Sequence, residues 1–529
     1  MTKRLAAFAA VLLALVVVPA MASAHPIETG EVAVPWTDDF SRQQAVKLTR
    51  GTPPLAEAAQ AAPPGISGLE LVGNSDKDGT TNSDLAFWGN LVYAGNYSGF
   101  RILDARTDAP RVVADVACNG PQNDVSVHEM GGRRYLFQSV DTAQTTEDCT
   151  SANAPIGADG SRVGYEGVRV FDVTNPAAPR FIDMIQTACG SHTHTLIPGD
   201  SRRGDDDDDD DDRRGRASRG GGRDDDKAYI YVASYPLGSN ITGPTGPGDF
   251  KPCAMPHKKL TIIEVESKRG QFSHRLREQE LSDDTAITPV YGFQACHDFQ
   301  AFMAKDVMVA SCAGDAQLWD ISDPWRPSTD TPGRHTHITS PSATDSFEFI
   351  HSGVVNWDGD VFAIMDETGG GGTAECDGSA TTDGFYYFYE MVKPGKRAPR
   401  LLGRYTIPRA QSPEICVSHN ATVIPIESRD IMTTAYYQGG VTVVDFSDPR
   451  RPREVAYADL ADGTGISDEW SSYWYNGRVF SNSGLGRRGP TANRGVDVFR
   501  PTGWLASVTR KAERWAYSNP QTQEAWQRP

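Results

Sequence analysis

The polar and apolar positions of this chain repeat one phrase: a short apolar strand, an Asp, then a turn bracketed by proline. It reads GFRILDARTDAP at 99–110, GVRVFDVTNPAAP at 167–179, AQLWDISDPWRP at 316–327 and GVTVVDFSDPRRP at 440–452. Repetition at this scale predicts an array of small sheets, none able to bury its own face alone. Upstream of each phrase lie two further strands, the first led by a His or Asp and the second of the YVA type. The units begin at Ser83, Asn123, Ser191, Cys296, Ile350, Ser418 and Ser467. A fourth strand follows the turn, as in REVAYADL at 453–460. Seven four-stranded units predict an all-β, seven-bladed β-propeller. The seventh unit stops at GVDVFRP (495–501) with no fourth strand, and ISGLELVG (66–73) stands unused before the first. Residues 68–73 are therefore expected to complete the last blade and close the ring, giving a propeller over 66–501.

The flanks read differently. Lys3 and Arg4, the apolar run 5–18 and Ala22-Ser23-Ala24 have the layout of a bacterial Sec-type signal peptide over 1–24, cleaved after Ala24. The mature protein is then expected to be secreted, with no transmembrane segment, since no later apolar run is long enough. Residues 25–65 form a Pro/Ala-rich extended arm, and 199–227, with eight successive aspartates at 205–212, a solvated disordered insertion. Residues 502–529 are a C-terminal tail, expected as a short helix from Trp504 and a frayed end. The formal charge of -18 opposes nucleic acid and anionic lipid as partners. Eight cysteines in an exported chain predict disulfides. Cys296 and Cys312 lie at the ends of adjacent predicted strands and are the favoured pair; pairing of the others between sequence neighbours is a guess.

The GVxVxDxSDPxxP phrase with its preceding YVA-type strands resembles the LVIVD-repeat family of predominantly exported bacterial and archaeal propellers. The resemblance spans about 84–500. Units one, two, four and six match well; unit five lacks the Asp, unit three keeps only the strand KLTIIEVE, and unit seven is truncated. What the family implies is a propeller, often extracellular, with no settled activity.

The starts of the first strands carry the candidate chemistry. SHTHTLIP and SHNATVIP superimpose without a gap, placing His192 on His419. His297 and His351 take the same place in their units, and Asp84, Asp124 and Asp468 in the other three. In a propeller the first strand of each blade lines the channel, so these seven residues are expected around the axis. Imidazoles with carboxylates suit a divalent transition metal. The same residues can instead cap neighbouring backbone as a structural belt. His194 and His128, at even spacings from His192 and Asp124, are lesser candidates on the same strand faces. Cys189 and Cys416 share a CxxH spacing, read here as disulfide cysteines. Asn74, Asp76 and Asp78, followed by Gly79, match the first half of a calcium loop but lack an acid at the twelfth position. The glycine run 369–372 is read as a flexible loop, and no GxSxG or HExxH motif is present. The aromatic clusters of units five and seven are read mainly as filling between blades.

Two functions fit. One is a secreted binding and interaction scaffold that holds an extracellular ligand or protein partner. Another is a metal-dependent enzyme, an oxidase, oxygenase or lyase, with metal at His192, His297, His351 and His419 and acid–base help from Asp84, Asp124 and Asp468 or from nearby Glu348 and Glu469. Convergence of the four imidazoles on one centre discriminates between them.

Overall fold

A computed structural model describes residues 65–157, 162–199, 226–234, 241–242, 251–252, 257–281, 295–329, 334–341, 347–367, 384–408, 415–460, 468–483 and 495–524. The expected signal peptide, the arm to residue 64, the aspartate run and the glycine run lie outside the described residues. Among the described residues, no helix is long and apolar enough to cross a membrane.

The chain forms seven antiparallel sheets around one axis. Blade 1 runs inner to outer through Asn82–Trp88, Leu91–Asn96, Gly99–Asp104 and Arg111–Ala117. Blade 4 runs through Asp298–Phe302, Val307–Cys312, Asp315–Asp320 and His335–Ile338. The ring closes as the sequence predicts. Leu69–Ser75 pairs antiparallel with Gly495–Pro501 and becomes the outer strand of blade 7. Just before it, Gly65–Ser67 adds to the outer edge of blade 6.

The repeated Asp works in the expected way. Asp104, Asp172, Asp320 and Asp445 each accept the backbone N–H two residues on, at 3.0–3.1 Å, which fixes the turn after the third strand. Each also meets arginine; the Arg106 guanidinium holds the Asp104 carboxyl well below the usual carboxylate range. In units three and five, Glu264 and Glu390 stand in its place and pair with Arg275 and Arg397. The glycine opening the phrase is needed where the third strand meets the fourth. Gly99 has φ +145°, and a Cβ there would sit 1.9 Å from the Val116 carbonyl oxygen.

Each sheet buries its faces against its neighbours, so the apolar core lies between blades. Phe100, Ile102, Val125, Leu136 and Phe171 join blades 1 and 2, and Phe87 stacks on Tyr475 at 4.6 Å across the seam between blades 7 and 1. Disulfides link Cys118 to Cys149 and, as expected, Cys296 to Cys312; Cys189 and Cys416 are also disulfide-bonded.

The C-terminal tail departs from expectation. After the expected helix, Gly503–Thr509, the described residues to 524 turn into the central channel. Tyr517–Ser518 pairs with the inner strand of blade 1 and Thr522–Gln523 with that of blade 4. Between them Asn519 bonds both backbone groups of Val127 in blade 2, and the Thr522 hydroxyl donates to Leu196 of blade 3. These residues are polar yet buried, because the channel offers unpaired edges of inner strands for them to satisfy. A cavity of about 20 Å³ remains beside the plug, between Gln300, Trp357, Thr422 and Trp515, enough for a water molecule.

Candidate axial metal centre

Counting inward from the repeated Asp along paired residues gives the true register of the ring. Three positions before it, Arg101, Arg169, Thr261, Gln317, Tyr387, Thr442 and Asp497 pair with the second strands. Through them they align Leu85, Val125, His194, Phe299, Gly353, Ala421 and Ser472 on the first. Two residues upstream, His192, His297, His351 and His419 are equivalent, as the sequence alignment has them. Asp84 and Asp124 are not: they align with Asp298, one residue further along, and Asp468 lies two residues before its blade's ring position, Trp470. The offset arises because the first strands of blades 1, 2, 5 and 7 bulge at their start, with Gln122 and Asn123 in the left-handed region. An extra residue on one strand moves every later side chain to the other face.

The axis therefore has two levels. The upper one is an arc of four buried imidazoles. Ring centroids lie 4.6 Å apart from His192 to His297, 3.9 Å from His297 to His351 and 4.2 Å from His351 to His419. Trp470 ends the arc, 5.1 Å from His419. Hydrogen bonds orient both terminal rings: His192 Nδ1 lies 2.8 Å from Asp141 Oδ2, and His419 Nδ1 meets the Trp470 carbonyl at 2.5 Å. Glu367 faces the far end of the arc. Its oxygens lie 3.8 Å from His351 Nε2 and 3.9 Å from His419 Nε2, and the Tyr437 hydroxyl donates to it. Ligand atoms of His351, Glu367 and His419 lie within 4.8 Å of one another, as do those of His297, Asp298 and His351. Burial, then the neighbouring His297, His419 and His192, push the His351 imidazole well below its ordinary value, so it is neutral, the form that binds metals.

The lower level is made of oxygen. Asp84, Asp124 and Asp298 are buried there, and Asn420 Nδ2 reaches Asp84 Oδ2 at 3.4 Å. Burial raises the Asp84 carboxyl to about 7 and that of Asp298 to about 8. Gln521, at the tip of the C-terminal plug, bonds both.

The remaining candidates fall elsewhere. His194 is buried between blades 2 and 3, bonded to Ser126 and Ser139 at 2.7 and 2.8 Å, and burial lowers it to about 3. His128 lies beside Trp88, 6.4 Å between ring centroids, well along its strand. Asp468 and Glu469 are buried at the start of blade 7, where Glu469 accepts from Ser481. Glu348 is half-buried, and its N–H donates to Asp366. Asn74 donates to Asp497, and Asp76 and Asp78 are exposed. Sequence reasoning missed Glu367, Asp141 and Glu166. Neither Glu166 oxygen has a hydrogen-bond partner among the described residues; burial, then the nearby Asp141, raises its carboxyl well above the ordinary value. Glu367 directly follows the apolar second strand of its blade, and only the fold brings it to the axis.

No family model and no curated protein matches the chain; the LVIVD resemblance thus rests on the repeats alone. Solved structures similar to it include the periplasmic gluconolactonase PpgL of Pseudomonas aeruginosa, at 9% identity and TM-score 0.41, covering 79% of this chain and 100% of that one. A functionally unknown protein of Desulfotomaculum acetoxidans shares 10% identity at TM-score 0.35, over 71% and 85%. The AfRom2 CNH domain shares 7% at TM-score 0.38, over 82% and 99%.

Proposed function

We propose that this protein is a metal-dependent enzyme whose centre is a divalent transition metal at the axial histidine arc. His351, His419 and Glu367 would hold the ion, with His297 and His192 completing the arc. The observation that carries this reading is the fixing of both terminal imidazoles through Nδ1, one by a carboxylate and one by a backbone carbonyl. Metal-bound histidines are oriented in this way, with the other nitrogen turned to the ion. A structural belt needs no such convergence of four rings. Two histidines and one carboxylate are the donor set of non-haem iron oxygenases, and imidazole equally suits copper or zinc. When bound, the metal supplies Lewis-acid or redox chemistry. The chain's residues orient the terminal imidazoles, exclude water and hold His351 neutral.

The test is metal content of the protein purified without a His tag, beside His351→Gln and Glu367→Gln variants. Near-stoichiometric iron, copper or zinc, lost in both variants, is expected. A folded wild type that takes up none of these metals on incubation overturns the reading and leaves the binding scaffold.

A further inference from the structure

Three of the four arc histidines stand one to three residues after a disulfide cysteine: Cys189, Cys296 and Cys416 precede His192, His297 and His419. The central two rings, His297 and His351, are the most closely spaced of the arc, and the Cys296–Cys312 bond bears on both. Cys296 is the residue before His297, and the His297 N–H donates to the carbonyl of Ser311, the residue before Cys312, at 2.7 Å. Both cysteines are buried.

His351 is held differently. It is the extra residue of the bulge between Ile350 and Ser352, so the ladder of blade 5 gives it no opposite residue. Its place is set from blade 4. The Ile350 N–H donates at 2.6 Å to the carbonyl of Ala313, the residue after Cys312. Ala313 is buried at φ +57°, a left-handed conformation that alanine keeps only where its surroundings impose it. In blade 6 the equivalent residue is Tyr437, at φ +46°. There Gln438 fixes the turn through both backbone groups of Ile415; in blade 4 the disulfide takes that part. From Ile350 the order passes to Glu367. The Phe349 N–H donates to Asp366 Oδ1 and its carbonyl accepts the Glu367 N–H, both at 2.8 Å.

We propose that Cys296 and Cys312 are positioning residues of the axial centre. Their disulfide sets His297 directly and His351 through Ala313, so the centre holds its metal tightly only when this bond is formed. The inference rests on the metal reading above and adds redox control to it.

Zinc, itself redox-inert, is the probe. Competition with a chromogenic chelator on the full chain should show zinc affinity about 10–100-fold weaker in Cys296→Ala/Cys312→Ala. The Cys118–Cys149 bond joins blades 1 and 2, which give no histidine to the arc. Cys118→Ala/Cys149→Ala should therefore lower the melting temperature and keep the wild-type zinc affinity, whereas purely structural bonds would make the two variants alike. The wild type answers where a variant does not fold, because binding and oxidation are linked reciprocally. In glutathione buffer two electrons and two protons turn the disulfide into two thiols, while two glutathione thiols become one disulfide. Bound zinc should lower the midpoint potential of the Cys296–Cys312 couple by about 30 mV for each tenfold in affinity, read by alkylation and mass spectrometry. Equal zinc affinity in the two variants, or a midpoint that zinc leaves unmoved or raises, overturns the inference alone. A wild type that takes up no zinc, iron or copper overturns the metal reading and the inference with it.

Discussion

Asp84 makes the stability of the cation-free protein fall as pH rises, and replacing it with Asn should remove that fall. In the unfolded chain an Asp titrates near 3.9. In the folded protein burial raises Asp84 to about 7. Between these values the unfolded chain gives up its proton while the folded one keeps it, so protons favour the folded state and stability drops with rising pH. From pH 5 to the folded value lie roughly two pH units, each worth about 1.4 kcal/mol. Wild type should therefore lose on the order of 3 kcal/mol relative to Asp84→Asn between pH 5 and pH 8. Asn preserves shape and can still accept the Leu85 N–H that Asp84 takes at 2.9 Å. Any pH-independent cost of the substitution cancels in the comparison. Urea unfolding of both proteins in chelator at the two pH values measures it. A wild-type-minus-variant difference that is flat across this range, or that favours wild type at pH 8, would refute the account of a carboxyl held neutral by burial.

Two further substitutions test the frame around the centre. Tyr437→Phe should weaken transition-metal affinity about 10–100-fold while leaving the fold intact, because it removes the hydroxyl that donates to the ligand carboxylate of Glu367; competition with a chromogenic chelator reads this out. Gly99→Ala should destabilise the protein by about 2–4 kcal/mol in urea unfolding, since Ala disfavours φ +145° and its Cβ meets the Val116 carbonyl.

The blades were legible because the Asp turn and its proline brackets leave a local mark each time they recur. Closure was legible for a similar reason: unit seven lacked a strand and 66–73 had no other place. Register at the axis was not, because a bulge is a backbone event. Nothing in the side-chain pattern announces that Gln122 and Asn123 adopt positive φ, so a gapless alignment put Asp84 and Asp124 one residue out. The histidines escaped because blades 3, 4 and 6 start their first strands without a bulge, and the bulge of blade 5 leaves His351 in place. Glu367 and Asp141 approach the axis only through the curl of a sheet, which pattern cannot convey. The tail misled for a physical reason: Asn519, Gln521 and Thr522 look suited to water, yet the inside of this propeller is itself polar.

Both ends of the described chain finish structures begun far away in sequence. Leu69–Ser75 waits for Gly495–Pro501, and the plug arrives only after every blade has been made. During synthesis the early blades must persist as an open arc, with the faces that later meet blade 7 still exposed. Contacts spanning more than 400 residues close last, so assembly of this ring is expected to be slow. Loss of residues 517–524 would leave seven blades around a channel without its plug, a ring complete in outline but unfinished at its centre.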